Sequence, residues 1–179
     1  MPQRDIDLAP QRTDAGIPDY SDPSGDDFVA LARDTVTVRS MQEGDLRALV
    51  RIDKQHTGRD RNDYYETKLK EVMSESGVRV SLVAEIDDAP AGYVMARVDF
   101  GEFGRTEPTA VIDTIGVDRD YAHLGVAQAL LSQLLANLAT LHVETVRSTI
   151  RWDNFGLLSF MQRAGFTPAQ RLVLTRRID

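Results

Sequence analysis

The stretch that decides the fold is VDRDYAHLGVAQALL, residues 117–131. A nearly continuous apolar run, residues 109–117, leads into it and is typical of a central β-strand. Leucines at i, i+3 and i+4 spacing follow and predict an amphipathic helix that begins near Gly125. The first amides of a helix lack partners within the helix and can bind an anion, and glycine lets a phosphate approach closely. A purely steric role for Gly125 in a tight turn fits the pattern equally well.

Apolar residues that recur with a period of two predict the remaining strands, and those that recur with the helical period predict the remaining helices. A helix follows a capping box formed by Ser40 and Glu43. Further helices are expected over residues 63–76 and 154–164, and strands over residues 35–39, 78–86, 91–100, 145–150 and 172–178. The order β-α-α-β-β-β-α-β-α-β indicates a mixed α/β layered domain.

Charge and composition divide the chain into two parts. Residues 1–34 contain 8 acidic and 3 basic residues and several prolines, whereas residues 35–179 contain 20 and 18. We interpret residues 1–34 as an acidic, proline-containing extension and residues 35–179 as one globular domain. The net charge of −7 and the lack of a basic stripe argue against a nucleic-acid partner. No apolar run is long enough for a membrane helix.

Cysteine is absent from the 179 residues, which excludes disulfides, thiolate nucleophiles and cysteine-bound zinc. The three histidines, His56, His123 and His142, form no metal-binding pattern, so we expect no metal. The sequence starts without an apolar leader segment. These features together favour a cytoplasmic protein.

Residues 117–131 resemble the acetyl-CoA pyrophosphate loop of the GNAT superfamily of N-acetyltransferases, whose pattern is Q/R-x-x-G-x-G/A. Gly125 and Ala127 match its last two fixed positions. Ala122 departs from it, since Gln or Arg usually stands there. The family binds phosphate mostly through main-chain amides, so the departure weakens the match without removing it.

A second motif lies downstream, WDNFGLLSFMQRAGF at residues 152–166. It is similar to the N-x-x-A/L-x-x-(F/L)-Y-x-x-x-G-F helix of the same family. Asn154 matches the asparagine that usually contacts the cofactor, and Gly165-Phe166 matches the near-constant ending. The separation of the two motifs and the element order over residues 35–179 also agree with the family.

The resemblance implies a mostly antiparallel central sheet flanked by helices, in which a central strand pair splays apart after a bulge. It implies acetyl-CoA as the donor, with the pantetheine arm bound by backbone groups of Ile115 and Val117. Amides of residues 122–127 would hold the pyrophosphate; these are Ala122, His123, Leu124, Gly125, Val126 and Ala127. Family members are often dimers, which makes a homodimer an expectation.

Asp113 is the first candidate for the catalytic base. It interrupts the apolar strand VIDTI, residues 111–115, and burial there would raise the pKa of its carboxyl group. A structural aspartate satisfied by backbone or arginine contacts is the alternative. Glu102 and Glu107 are weaker candidates, because loop glutamates are usually solvated.

The general acid is missing from its usual place. Met161 stands where many family members have tyrosine, and a thioether cannot donate a proton. Tyr64, Tyr65, Tyr93 or Tyr121 could substitute. Trp152 could line an acceptor pocket or pack at the rim of the core.

The sequence thus predicts transfer of an acetyl group from acetyl-CoA to a primary amine by direct attack in a ternary complex. The acceptor could be a protein N-terminus, a lysine or a small amine. A non-catalytic acyl-CoA-binding regulatory domain is the alternative, motivated by Met161 and Ala122. An assembly module that engages a partner through the acidic extension is a third interpretation.

Overall fold

The computed structural model describes residues 36–74, 80–99, 108–170 and 174–178. The predicted extension, residues 1–34, lies outside them. The strands are β1 Thr37–Ser40, β2 Leu82–Ile86, β3 Ala89–Asp99, β4 Thr109–Val117 and β5 Thr145–Ser148. The helices are α1 Leu46–Thr57, α2 Asn62–Ser74, α3 Val126–Thr140 and α4 Phe155–Arg163. None of the helices in this part of the chain is both long and apolar enough to cross a membrane.

The described strands form one sheet in the order β1-β2-β3-β4-β5. Every neighbouring pair is antiparallel except β4 and β5, which run parallel. Asp87 and Asp88 connect β2 to β3 with φ values of 51° and 60°. Positive φ at both central residues is what a two-residue hairpin turn requires. This architecture confirms the predicted mixed sheet.

Helices cover both faces of the sheet. One face packs against α3 and α4 around buried side chains such as Val94, Ile112 and Leu130. The other packs against α1 and α2 around Ile52 and Tyr93. The two layers explain why β4 is a nearly continuous apolar run in the sequence.

The first helix does not start at the predicted capping box. Ser40 still belongs to β1, where it pairs with Leu82. The Gln42 amide instead donates to the Asp45 carboxylate, with 2.7 Å between N and Oδ2, before α1 begins. The buried Asp45 also accepts two hydrogen bonds from Arg39. Strand pairing moves the cap because a residue held in the sheet cannot also begin the helix.

The predicted last strand is wrong for the residues that can be described. Residues 174–178 carry no strand hydrogen bonding, and Leu174 and Ile178 are 90% and 95% exposed. The alternation of side chains suggested a strand there, but residues 174–178 pair with none of the strands that the structure describes. Residues 171–173 lie outside the description.

Candidate active site

The turn between β4 and α3 places a row of backbone amides at the start of a long helix. His123 and Gly125 adopt left-handed conformations, with φ values of 67° and 78°. Gly125 is the residue that precedes α3, and its carbonyl accepts the first helical hydrogen bond, from Ala129 at 2.9 Å. Glycine adopts this conformation without steric cost, which explains its place in the turn.

The amides of residues 122–127 are not all available for a ligand. The Ala122 amide donates to the carbonyl of Arg119 at 3.2 Å, and the Leu124 amide lies 3.4 Å from the carbonyl of Tyr121. Within the described part of the chain, the remaining amides have no acceptor: His123, Gly125, Val126 and Ala127. These free donors lie at the positive end of the helix dipole, which makes the turn suitable for an anion.

Asp118 anchors the start of this turn. Its buried carboxylate accepts hydrogen bonds from the Gln55 side chain at 3.0 Å and from the Asp120 amide at 3.1 Å. The Arg51 guanidinium lies 3.0 Å from its other oxygen. Burial by itself would raise the pKa of Asp118, but the hydrogen bonds and Arg51 outweigh it and hold the pKa below its ordinary value.

A bulge in β4 marks the point where the sheet opens. Met95 pairs with Thr114 and Ala96 with Ile112, so Asp113 is an extra residue in β4. The pairing of β4 with β5 ends at Ile112, and the last five residues of β4 have no β5 partner. This geometry is the predicted splay of the central strands.

Main-chain groups of β4 face this opening. The Asp118 amide donates to Ala91 in β3, so alternation directs the groups of Ile115 and Val117 away from β3. The Val117 carbonyl lies 2.6 Å from Nε2 of His56. Ile115 and Val117, which the sequence predicts to bond a pantetheine arm, therefore line the gap beyond the end of β5. The carbonyl of Val117 already contacts His56.

Asp113 lies on the face that α1 and α2 cover, where it forms an ion pair with Arg97. The expectation that it is buried is wrong, because the bulge pushes this extra residue outward and leaves it exposed. The Asp113 side chain is 26% exposed while it is paired with Arg97, so an acceptor can reach its carboxylate from the strand opening. Glu102 and Glu107 lie outside the described residues.

Asn154 precedes α4 and caps it, since its side-chain oxygen accepts a hydrogen bond from the Leu157 amide at 3.2 Å. The residue is exposed, so a cap and a ligand contact are compatible. Trp152 is 81% exposed and does not pack in the core.

The residues considered for the general acid differ in burial. Met161 is buried in the core that α3 and α4 cover, and it packs there as the sequence allowed. Tyr65 and Tyr93 are buried on the other face. Tyr64 is exposed on α2, and Tyr121 is half-buried in the turn before α3.

Sequence reasoning missed the residues that support the turn and the bulge. Asp118, Gln55 and His56 come together from segments about sixty residues apart. The hydroxyl groups of Tyr65 and Tyr93 meet across α2 and β3. The only sequence signal was Asp118, which directly follows the buried strand β4, because aspartate is frequent at capping positions.

Comparison with known proteins supports the architecture. A transcriptional regulator from Bacillus halodurans C-125 superimposes with a TM-score of 0.70 at 18% identity, over 80% of this chain and 99% of that one. An aminoglycoside N-acetyltransferase in complex with CoA gives 0.67 at 19% identity, over 79% and 94%. An aminoglycoside antibiotic 6'-N-acetyltransferase from Acinetobacter haemolyticus gives 0.65 at 18%, over 80% and 99%. At these low identities, the TM-scores show a shared fold.

No curated protein matches the sequence. The profile of the Acetyltransferase (GNAT) family matches residues 45–166, which is more than half of the chain and includes the bulge, the turn before α3 and all of α4. The chain therefore belongs to the GNAT acetyltransferase family.

Proposed function

We propose that this protein transfers an acetyl group from acetyl-CoA to a primary amine. The observation that carries the proposal is the set of free amides at the start of α3, beside a strand gap lined by the main chain of β4. Together they match the two parts of the donor, since phosphates suit the amides and the amide-containing pantetheine suits a strand edge. Small side chains at Gly125 and Ala127 leave the approach open.

The residues of the turn and gap fit the donor in distinct roles. The amides of His123, Gly125, Val126 and Ala127 bind the pyrophosphate, and backbone groups of Ile115 and Val117 bind the pantetheine arm. Asn154 and the remaining turn residues, Ala122 and Leu124, border the same site. When bound, acetyl-CoA supplies a thioester that is activated toward attack.

Asp113 serves as the base in this proposal. A lysine amine with a pKa of ~10.4 is almost wholly charged near neutral pH and must lose a proton before attack. Asp113 is accessible and lies in the bulge next to the gap, so its carboxylate can receive that proton directly or through water. Arg97 pairs with Asp113 and restricts its orientation.

The acceptor is a primary amine that binds on the face covered by α1 and α2. The aminoglycoside acetyltransferases of similar fold make a small amine a reasonable first choice. In the described residues, Asp113 is paired with Arg97, and Asp99 contacts both Arg97 and Arg147. Since these carboxylates are already paired, we expect a monoamine to be preferred to a polycation such as sisomicin.

A non-catalytic acyl-CoA-binding domain is the second candidate. It is favoured by Met161, which is buried and supplies no proton donor. The transcriptional regulator of similar fold illustrates that the architecture serves other purposes. Release of free CoA with any amine would exclude this candidate.

Thermal melting with acetyl-CoA, with free CoA as the comparison, is the first experiment. A ligand at ~100 times its Kd stabilises the folded state by about 2.7 kcal/mol, which raises the Tm by roughly 5–10 °C for a domain of this size. The second step measures CoA release with a lysine peptide, a peptide with a free N-terminus, small monoamines and sisomicin. No melting shift at millimolar acetyl-CoA would contradict the proposal.

The proposal extends to the location and the oligomeric state of the protein. The absence of cysteine suits a reducing compartment, so we propose that the reaction occurs in the cytoplasm. We also propose a homodimer, which sedimentation of the purified protein would test.

A further inference from the structure

Two buried tyrosines contact each other on the face of the sheet that α1 and α2 cover. Tyr65 in α2 and Tyr93 in β3 are 0% and 1% exposed, and their hydroxyl oxygens are 2.6 Å apart. Their rings stand edge to face with centroids 5.9 Å apart. Two phenylalanines would fill nearly the same volume without buried hydroxyls, so core packing alone does not explain the pair.

The hydroxyl pair is connected at both ends. On the α1 side, the Arg61 guanidinium lies over the Tyr65 ring, with 5.7 Å between its central carbon and the ring centroid, and it donates to the buried carboxylate of Asp53 with 2.7 Å between Nε and Oδ2. On the sheet side, Tyr93 pairs with Gly116 of β4, two residues after Thr114. The connected groups therefore run from α1 through α2 and β3 to β4.

Thr114 belongs to the β4 bulge and directly follows Asp113. The Tyr93 ring also lies against β4 at Gly116, since a Cβ on Gly116 would come within 2.8 Å of it. Tyr93 thus supports the strand from Thr114 to Gly116. This segment connects the proposed base to the backbone groups proposed to bind the pantetheine arm.

We propose that the Tyr65–Tyr93 hydroxyl pair is a positioning element for acetyl transfer, which holds the β4 bulge and thereby the Asp113 carboxylate beside the strand gap. The inference rests on the proposed function. The two tyrosines act through Thr114 and Asp113 and do not touch the substrates, since neither ring is exposed.

The protonation state of the pair suits this role. Burial raises the pKa of both tyrosines, so both keep their protons at neutral pH. A neutral pair keeps the O–H groups available as donor and acceptor to each other, 2.6 Å apart. Such a satisfied network specifies one geometry for the strand that it contacts.

Hydrogen exchange tests whether the pair holds the bulge, independently of activity. In Tyr93→Phe, amides of residues 112–114 should exchange about tenfold faster, while amides of β1 and β2 keep their rates. The control is Thr67→Val, which removes an exposed hydroxyl from α2 outside the network. If Tyr93→Phe does not fold, Tyr65→Phe removes the other hydroxyl of the pair.

Kinetics test the consequence for catalysis. Tyr93→Phe should lower kcat about tenfold and leave the KM for acetyl-CoA within about twofold. In an Asp113→Asn background the same change should have no further effect on kcat, because it acts through Asp113. A purely structural role would lower kcat by the same factor in both backgrounds.

The outcomes separate this inference from the proposed function. Wild-type protein without turnover for any amine would overturn the proposed function. An active enzyme in which bulge amides exchange at unchanged rates, or in which the two substitutions are additive, would overturn the positioning role alone.

Discussion

Gln55 in α1 donates a hydrogen bond to the buried carboxylate of Asp118, with 3.0 Å between Nε2 and Oδ1. The side-chain oxygen of Gln55, Oε1, accepts a hydrogen bond from the backbone amide of Arg119 at 3.0 Å. One side chain thus joins the helix over the acceptor face to the turn that precedes α3. A displacement of α1 would therefore change the position of the turn.

Asp118→Asn should destabilise the protein by about 2 kcal/mol, because an amide nitrogen replaces the oxygen that faces Arg51. The pKa of Asp118 is lowered in the folded state, so its contribution is present above the unfolded pKa of 3.8 and is lost as the pH falls through the folded value. The Tm, measured between pH 2 and 7, should fall less steeply with decreasing pH in the variant than in the wild-type protein. An unchanged acid profile would contradict the assignment.

Gly125→Val should weaken acetyl-CoA binding by at least about tenfold, because the side chain strains a left-handed residue and crowds the free amides. Gly58→Val is the matched control. Gly58 has a φ of 68° at the end of α1 and open space around it. Calorimetry should show normal affinity for the Gly58 variant only; equal losses would mean that strain alone is responsible.

Gly92→Ala should destabilise the fold by about 1–3 kcal/mol through overpacking. A Cβ there would lie 2.6 Å from Cγ1 of Val126 and 2.9 Å from the carbonyl oxygen of Gly116. Since Val126 opens α3, acetyl-CoA affinity should fall together with the Tm. Gly44→Ala, which meets nothing within 4 Å, should change neither. A normal Tm for Gly92→Ala would show that the helix can shift without cost.

Asp113→Asn should lower kcat for a lysine-like amine by about a hundredfold or more and leave acetyl-CoA affinity nearly unchanged. An α-amine, with a lower pKa, should lose less activity because it needs less help in losing its proton. Asp63→Asn in α2 provides an exposed control. Undiminished activity of Asp113→Asn across pH 6–9 would remove Asp113 as the base.

Local patterns predicted most elements, because the formation of a helix or strand depends largely on neighbouring residues. The leucine spacing of α3, the apolar character of β4 and the glycine of the turn are all readable from a short window. The cap of α1 was misplaced because the strand partner of Ser40 is about forty residues away. Residues 174–178 were misread because alternation suggests a strand but does not supply a partner.

The sequence by itself determined the order of the elements from β1 to α4, the family and the turn that offers free amides, since each depends on spacing along the chain. Only the tertiary structure decided which carboxylates are buried: Asp118 is held inside by Gln55 and Arg51, whereas the bulge turns Asp113 outward. The meeting of Tyr65 with Tyr93 was likewise decided in three dimensions. Burial and pairing depend on contacts between distant segments, and periodicity along one segment carries no information about them.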